Sequence, residues 1–119
     1  MTILVVMGDL FFSATIMGIA KKLGLEVRIL KDREVALEKI RTGPMAVIFD
    51  LNYAAADPVG IIRQMKADPL TQSIPTIGFI SHVQTELKAK ALEAGCDEVL
   101  ARSVFTQRLP DILSGHMSR

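Results

Sequence analysis

Apolar positions along this chain alternate between two spacings. Ile3-Leu4-Val5-Val6 is a short, unbroken apolar run rich in β-branched residues, the pattern of a strand buried on both faces. Phe12, Ile16, Ile19, Ala20 and Leu23 then recur at helical spacing, and Gly24 supplies a stop. Glu26–Leu30 reads as a more polar strand. Asp32 is placed to cap a helix over about 33–41, which Thr42-Gly43-Pro44 closes.

The same alternation continues. Met45-Ala46-Val47-Ile48-Phe49 is a buried strand ending at Asp50, and a loop of small residues runs from Leu51 to Asp57. Asp57-Pro58 opens a third helix with Ile61, Ile62 and Met65 on its buried face, and Asp68-Pro69 ends it. Thr76–Ile80, entered through Pro75, is another apolar strand. Val83, Leu87, Ala91 and Leu92 mark a fourth helix closed by Gly95. Glu98–Ala101 is the last strand. A short, less regular helix, interrupted or started at Pro110, leads to a frayed tail over 114–119.

Strands that alternate with helices of this length pair in parallel through right-handed crossovers. The expected architecture is α/β: a flavodoxin-like, doubly wound, five-stranded parallel sheet in the order 2-1-3-4-5 with about five helices. One domain spans 1–119, with no linker, low-complexity stretch or repeat.

Composition narrows the function. Half of the residues are hydrophobic and only 5% aromatic, so the core is built from Val, Ile, Leu, Ala and Met. Net charge is +1 with no block of one sign, which favours neither nucleic acid nor an anionic membrane as partner. The single cysteine, Cys96, excludes an intrachain disulfide and reads as a small buried hydrophobe, in keeping with a reduced, cytoplasmic setting. No signal peptide or membrane-spanning run is visible.

In open parallel sheets, ligands bind beyond the carboxyl ends of the strands. Those ends carry Met7-Gly8-Asp9, Asp50-Leu51-Asn52, Ser81-His82 and Arg102-Ser103. They bring together a strand-end carboxylate, a second carboxylate, a hydroxyl and a permanent cation. No phosphate-binding glycine motif, serine elbow, zinc motif or His–carboxylate cluster accompanies them, so an enzyme or a nucleotide- or small-molecule-binding module of this fold is the weakest alternative.

Three segments carry a resemblance that runs the length of the chain. Val47-Ile48-Phe49-Asp50, Pro75-Thr76-Ile77-Gly78-Phe79-Ile80-Ser81 and Ala91-Leu92-Glu93-Ala94-Gly95-Cys96-Asp97-Glu98-Val99-Leu100-Ala101 resemble the receiver domains of bacterial response regulators. The resemblance implies a two-component phosphorelay role. Asp50 is then the phosphoacceptor candidate, and Asp9, Asn52, Ser81 and Arg102 line the site. It also implies a histidine kinase or a downstream output protein as partner, and a homodimer through the fourth helix, fifth strand and fifth helix.

The match at the site is partial. The family's acidic pair falls on Met7 and Gly8, with Asp9 one residue later. Its Lys-Pro pair falls on Arg102 and Ser103. The Pro and Gly usual four and eight residues beyond the phosphorylated Asp fall on Ala54 and Pro58. Asp9, Asp50 and the Asn52 carbonyl are what remains of the Mg²⁺ site. A thioether and a bare glycine do not suit so hard an ion, so Mg²⁺ binding through Asp9 and Asp50 is expected to be weak or absent, and no other cofactor is expected. Asp9 fits better as the cap of the first helix, and an Asp50–Arg102 ion pair is expected to hold the site in one state.

Two functions follow. One is a pseudo-receiver that works through protein–protein contact with weak or no phosphorylation at Asp50. The other is a working phosphoryl-accepting switch. Neither makes the chain an enzyme. Because it ends soon after the fifth βα unit, it is expected either to act alone or to be a receiver cut from a longer protein. His82 is expected to begin the fourth helix, and His116 lies in the tail. Phe11, falling off the core stripe, is either a scattered exposed residue or, with Met7 and Leu10, part of a docking patch.

Overall fold

Both spacings are realised in the computed structural model, which describes residues 2–82 and 84–115. The elements run β1 (Thr2–Val6), α1 (Leu10–Leu23), β2 (Glu26–Leu30), α2 (Arg33–Ile40), β3 (Ala46–Asp50), α3 (Pro58–Ala67), β4 (Thr76–Ile80), α4 (Thr85–Ala94), β5 (Glu98–Ala101) and α5 (Arg102–Leu113). A single 3₁₀ turn at Ala54–Ala56 interrupts the loop after β3. The strands form one parallel sheet in the order β2-β1-β3-β4-β5, as the alternation predicts.

The unbroken apolar runs are explained by two layers of helix. Ile3, Val5, Met7, Ile48, Ile77 and Phe79 pack against α1 and α5. Their neighbours Leu4, Val6, Val47, Phe49 and Ile80 pack against α2, α3 and α4. A strand covered on both faces has no polar side to show. Each such side chain taken fully out of water stabilises the fold by roughly 1.5–3 kcal/mol. β1 lies between β2 and β3, with Val5 opposite both Ile29 and Ile48. Parallel pairing brings Val6, Asp50, Ile80 and Ala101 to one edge.

Helix ends follow the signals in the sequence. The side chains of Asp9, Asp32 and Asp57 accept from the amides of Phe12, Val35 and Gly60. Gly24 and Gly95 close α1 and α4 in the left-handed region, with φ of 70° and 110°.

Four expectations are corrected. Pro110 neither starts nor interrupts the last helix: α5 runs unbroken through it. Phe105, Leu109, Ile112 and Leu113 anchor the helix on both sides of the proline, and that apolar face outweighs the lost amide. Leu92 is 45% exposed, because α4 presses Ala91 and Ala94 onto the sheet instead. Leu23 is 42% exposed, because α1 ends there and Leu25 packs on the core in its place. His82 precedes α4 rather than beginning it. Val83, His116 and the rest of the expected tail beyond Gly115 lie outside the described residues.

Candidate functional site at the carboxyl ends of the strands

Asp50 closes β3 half-buried, and its Oδ1 accepts the Asn52 amide at 3.0 Å. Burial pushes this carboxyl above its ordinary value of 3.8, opposed by that hydrogen bond and by the charge of Arg102. The phosphoacceptor candidate that the sequence singles out is therefore held by its own loop.

Met7 is fully buried in the α1–α5 layer and forms no part of an exposed patch. Its period-2 position directs it into the core with Ile3 and Val5. Gly8 faces the ring of Tyr53. A Cβ built on Gly8 would stand 2.6 Å from Tyr53 Cε1, closer than packed atoms approach. The ring thus fills the room that an acidic side chain at position 8 would need. Tyr53 is fixed by its hydroxyl, which donates to the Lys31 carbonyl at 2.9 Å.

Asp9 is committed on both oxygens. Oδ1 accepts the Phe12 amide at 3.0 Å, capping α1, and Oδ2 accepts Arg102 Nη2 at 2.7 Å. The Arg102 hydrogen bond, with the Phe12 amide, holds the Asp9 carboxyl below its ordinary range. The expected Asp50–Arg102 pair is not formed. The Arg102 guanidinium lies 4.0 Å over the Phe12 ring, which stacks it beside Asp9, while Asp50 turns to its own loop. Phe79 and Phe105 meet the Phe12 ring edge-on at 5.3 and 6.0 Å and brace it.

Asn52 joins two loops. Its Oδ1 accepts the Ser81 amide at 2.8 Å, and its Nδ2 donates to Gln84 Oε1 at 2.7 Å. The Ser81 hydroxyl lies 3.1 Å from His82 Nδ1. The geometry therefore brings Asp9 and Arg102 together, and Asn52 and Ser81, with Asp50 bonded to the Asn52 amide.

These residues do not fit Mg²⁺. The ion requires a near-octahedral shell of oxygens. Asp9 has both oxygens engaged, the Met7 thioether is buried, and Gly8 offers no ligand. Among the described residues no three His, Cys, Asp or Glu side chains converge as a metal site.

Sequence reasoning did not single out Tyr53, Gln84 or the platform role of Phe12. The absence of a side chain at Gly8 was the available signal for the first: a bare glycine beside a strand end leaves room for a ring from the next loop.

No protein-family model matches the sequence, and neither does any curated protein. Solved structures do match. A protein assigned as a response regulator from Chloroflexus aurantiacus is 25% identical, with 99% of this chain and 98% of that one covered and a TM-score of 0.84. A response regulator from Hahella chejuensis is 17% identical over 98% of this chain and 95% of its own, with a TM-score of 0.86. The Mn²⁺-bound form of response regulator Rcp1 is 18% identical over 98% and 94%, with a TM-score of 0.82. With its strand order, its two helical layers and a carboxylate closing the third strand, this chain has the fold of response regulators and their receiver domains.

Proposed function

We propose that this chain is a pseudo-receiver: a two-component signalling module that acts by binding a protein partner, with weak or no phosphorylation of Asp50. The observation that carries this reading is the Asp9–Arg102 pair. Phosphoryl transfer onto a carboxylate brings two anions together and needs positive charge at the acceptor. Here the Arg102 cation is hydrogen-bonded to a neighbouring carboxylate, and the ring of Tyr53 stands where a further carboxylate would enter. The partner is a histidine kinase or an output protein, recognised through surface rather than through phosphate.

Retention of Asp50 at the end of β3 favours the second reading, a working phosphoryl switch. Intact mass after incubation with acetyl phosphate and Mg²⁺, beside an Asp50→Asn control, decides between the two. No added phosphoryl group, under conditions that modify an ordinary receiver, is the expected result. One added group that the control lacks would overturn the pseudo-receiver reading.

A further inference from the structure

The exposed face of α1 carries an unusual surface. No charged residue occurs from Leu10 to Ala20. Leu10, Phe11 and Met17 are 69%, 86% and 41% exposed, and Ala14, Thr15 and Gly18 are exposed between them. The only charges on this face are Lys21 and Lys22, in the last turn. At about 100° per residue, Ala14 and Gly18 run down its middle. Leu10, Met17 and Lys21 form one border, and Phe11, Thr15 and Lys22 form the other. A Cβ on Gly18 would meet nothing within 4 Å, so no described part of this chain covers the centre.

We infer that this face binds a second copy of the same chain, α1 against α1, antiparallel about a two-fold axis. The surface is complementary to itself in that orientation alone. A two-fold axis between antiparallel helices sets each border against the same border of the other copy, reversed. Ala14 of one copy then meets Gly18 of the other, and these small residues let the helix axes approach to the short end of the roughly 8–10 Å packing range. Phe11 comes over Lys22 of the second copy, an aromatic face against an ammonium, and Leu10 lies along the Lys21 stem. Both contacts occur twice.

Charge excludes the parallel alternative. Side-by-side parallel helices would bring four lysines together at one end, whereas the antiparallel pair separates them and opposes the helix dipoles. A single pair of 14-residue helices is a small interface, under the roughly 1,200 Å² that stable complexes bury. The dimer is therefore weak, and its population rises with concentration.

Sedimentation of the full chain over a concentration series tests this. Wild type is expected to pass from monomer toward dimer. Phe11→Lys, which sets like charges together twice, weakens association by about tenfold or more. Adding Lys22→Glu to Phe11→Lys restores it, and Gly18→Arg, at an open helical position, abolishes it sterically. Circular dichroism checks that each variant keeps its fold. A chain that stays monomeric at the highest concentration would overturn the inference. So would association that both α1 substitutions leave unchanged but Val104→Glu abolishes, which would place the interface on α4, β5 and α5. Failure of Lys22→Glu to rescue Phe11→Lys would overturn the antiparallel register.

Discussion

Arg102 and Asp9 stand 93 residues apart in sequence and 2.7 Å apart in space, joining the start of α5 to the cap of α1. Both side chains are about one-third exposed, so the ion pair itself is screened by solvent and contributes little on its own. Stacking on Phe12 adds about 0.5–1 kcal/mol. Arg102→Ala should lower stability in urea unfolding by about 0.5–1 kcal/mol, chiefly through the lost stack. Arg102→Lys should recover only part of this, because an ammonium keeps the charge but not the planar stack. Equal stability of the Lys variant and wild type would show that charge alone matters.

The pair also sets the sign of the acid response. The Asp9 carboxyl lies below its ordinary 3.8 in the fold, so its contribution is fully present above that value and fades as pH falls through the folded value. Asp50 acts in the opposite sense. Its carboxyl is raised by burial, so the ionised form opposes folding at neutral pH, and that penalty disappears in acid. Asp9→Asn should therefore flatten the loss of stability below about pH 4, and Asp50→Asn should raise the unfolding midpoint at neutral pH. Urea midpoints of both variants at neutral and acid pH check the two signs. An Asp50→Asn protein less stable than wild type at neutral pH would contradict the second.

Gly8 and Tyr53 form a second coupled pair. Gly8→Ala places a methyl against the ring and should cost about 1–3 kcal/mol. Tyr53→Ala removes the ring and its hydrogen bond to Lys31, with a loss of its own. The double variant should lose less than the sum of the two, because the methyl then has room. Thermal unfolding of the four proteins in a double-mutant cycle reads this directly, and strict additivity would mean that the loop, rather than the ring, absorbs the change.

How far the sequence reveals all this depends on range. Strands buried on both faces declare themselves, because a run such as Ile3–Val6 has no polar alternate, and Asp50 is legible because a strand end fixes its place. Side-chain commitments are not legible. Nothing in the residues near Arg102 says that it reaches Asp9 rather than Asp50: that choice is made by the Phe12 ring beneath it. Met7 looks available at a strand end, yet pleating turns it into the core. At Pro110 a local rule reads correctly and still fails, since four buried residues around it hold the helix together.

Asn52 offers the last test, because its side chain bridges two loops. It accepts from the Ser81 amide and donates to Gln84, so the loop from β4 to α4 is tied to the loop after β3. Both bonds are exposed, which limits each to the lower end of the roughly 0.5–1.5 kcal/mol range. Asn52→Ala should cost about 1 kcal/mol in global stability. Its larger effect should be local: the Ser81 amide, losing its partner, should exchange with solvent several-fold faster, while amides inside β3 and β4 keep their protection. Asn52→Asp tests which half of the clamp matters, since a carboxylate still accepts from Ser81 but no longer donates to Gln84. Slow exchange at Ser81 in the Asp variant and fast exchange in the Ala variant would assign the latch to the acceptor oxygen. Unchanged exchange in both would show that the loop is held by its backbone alone.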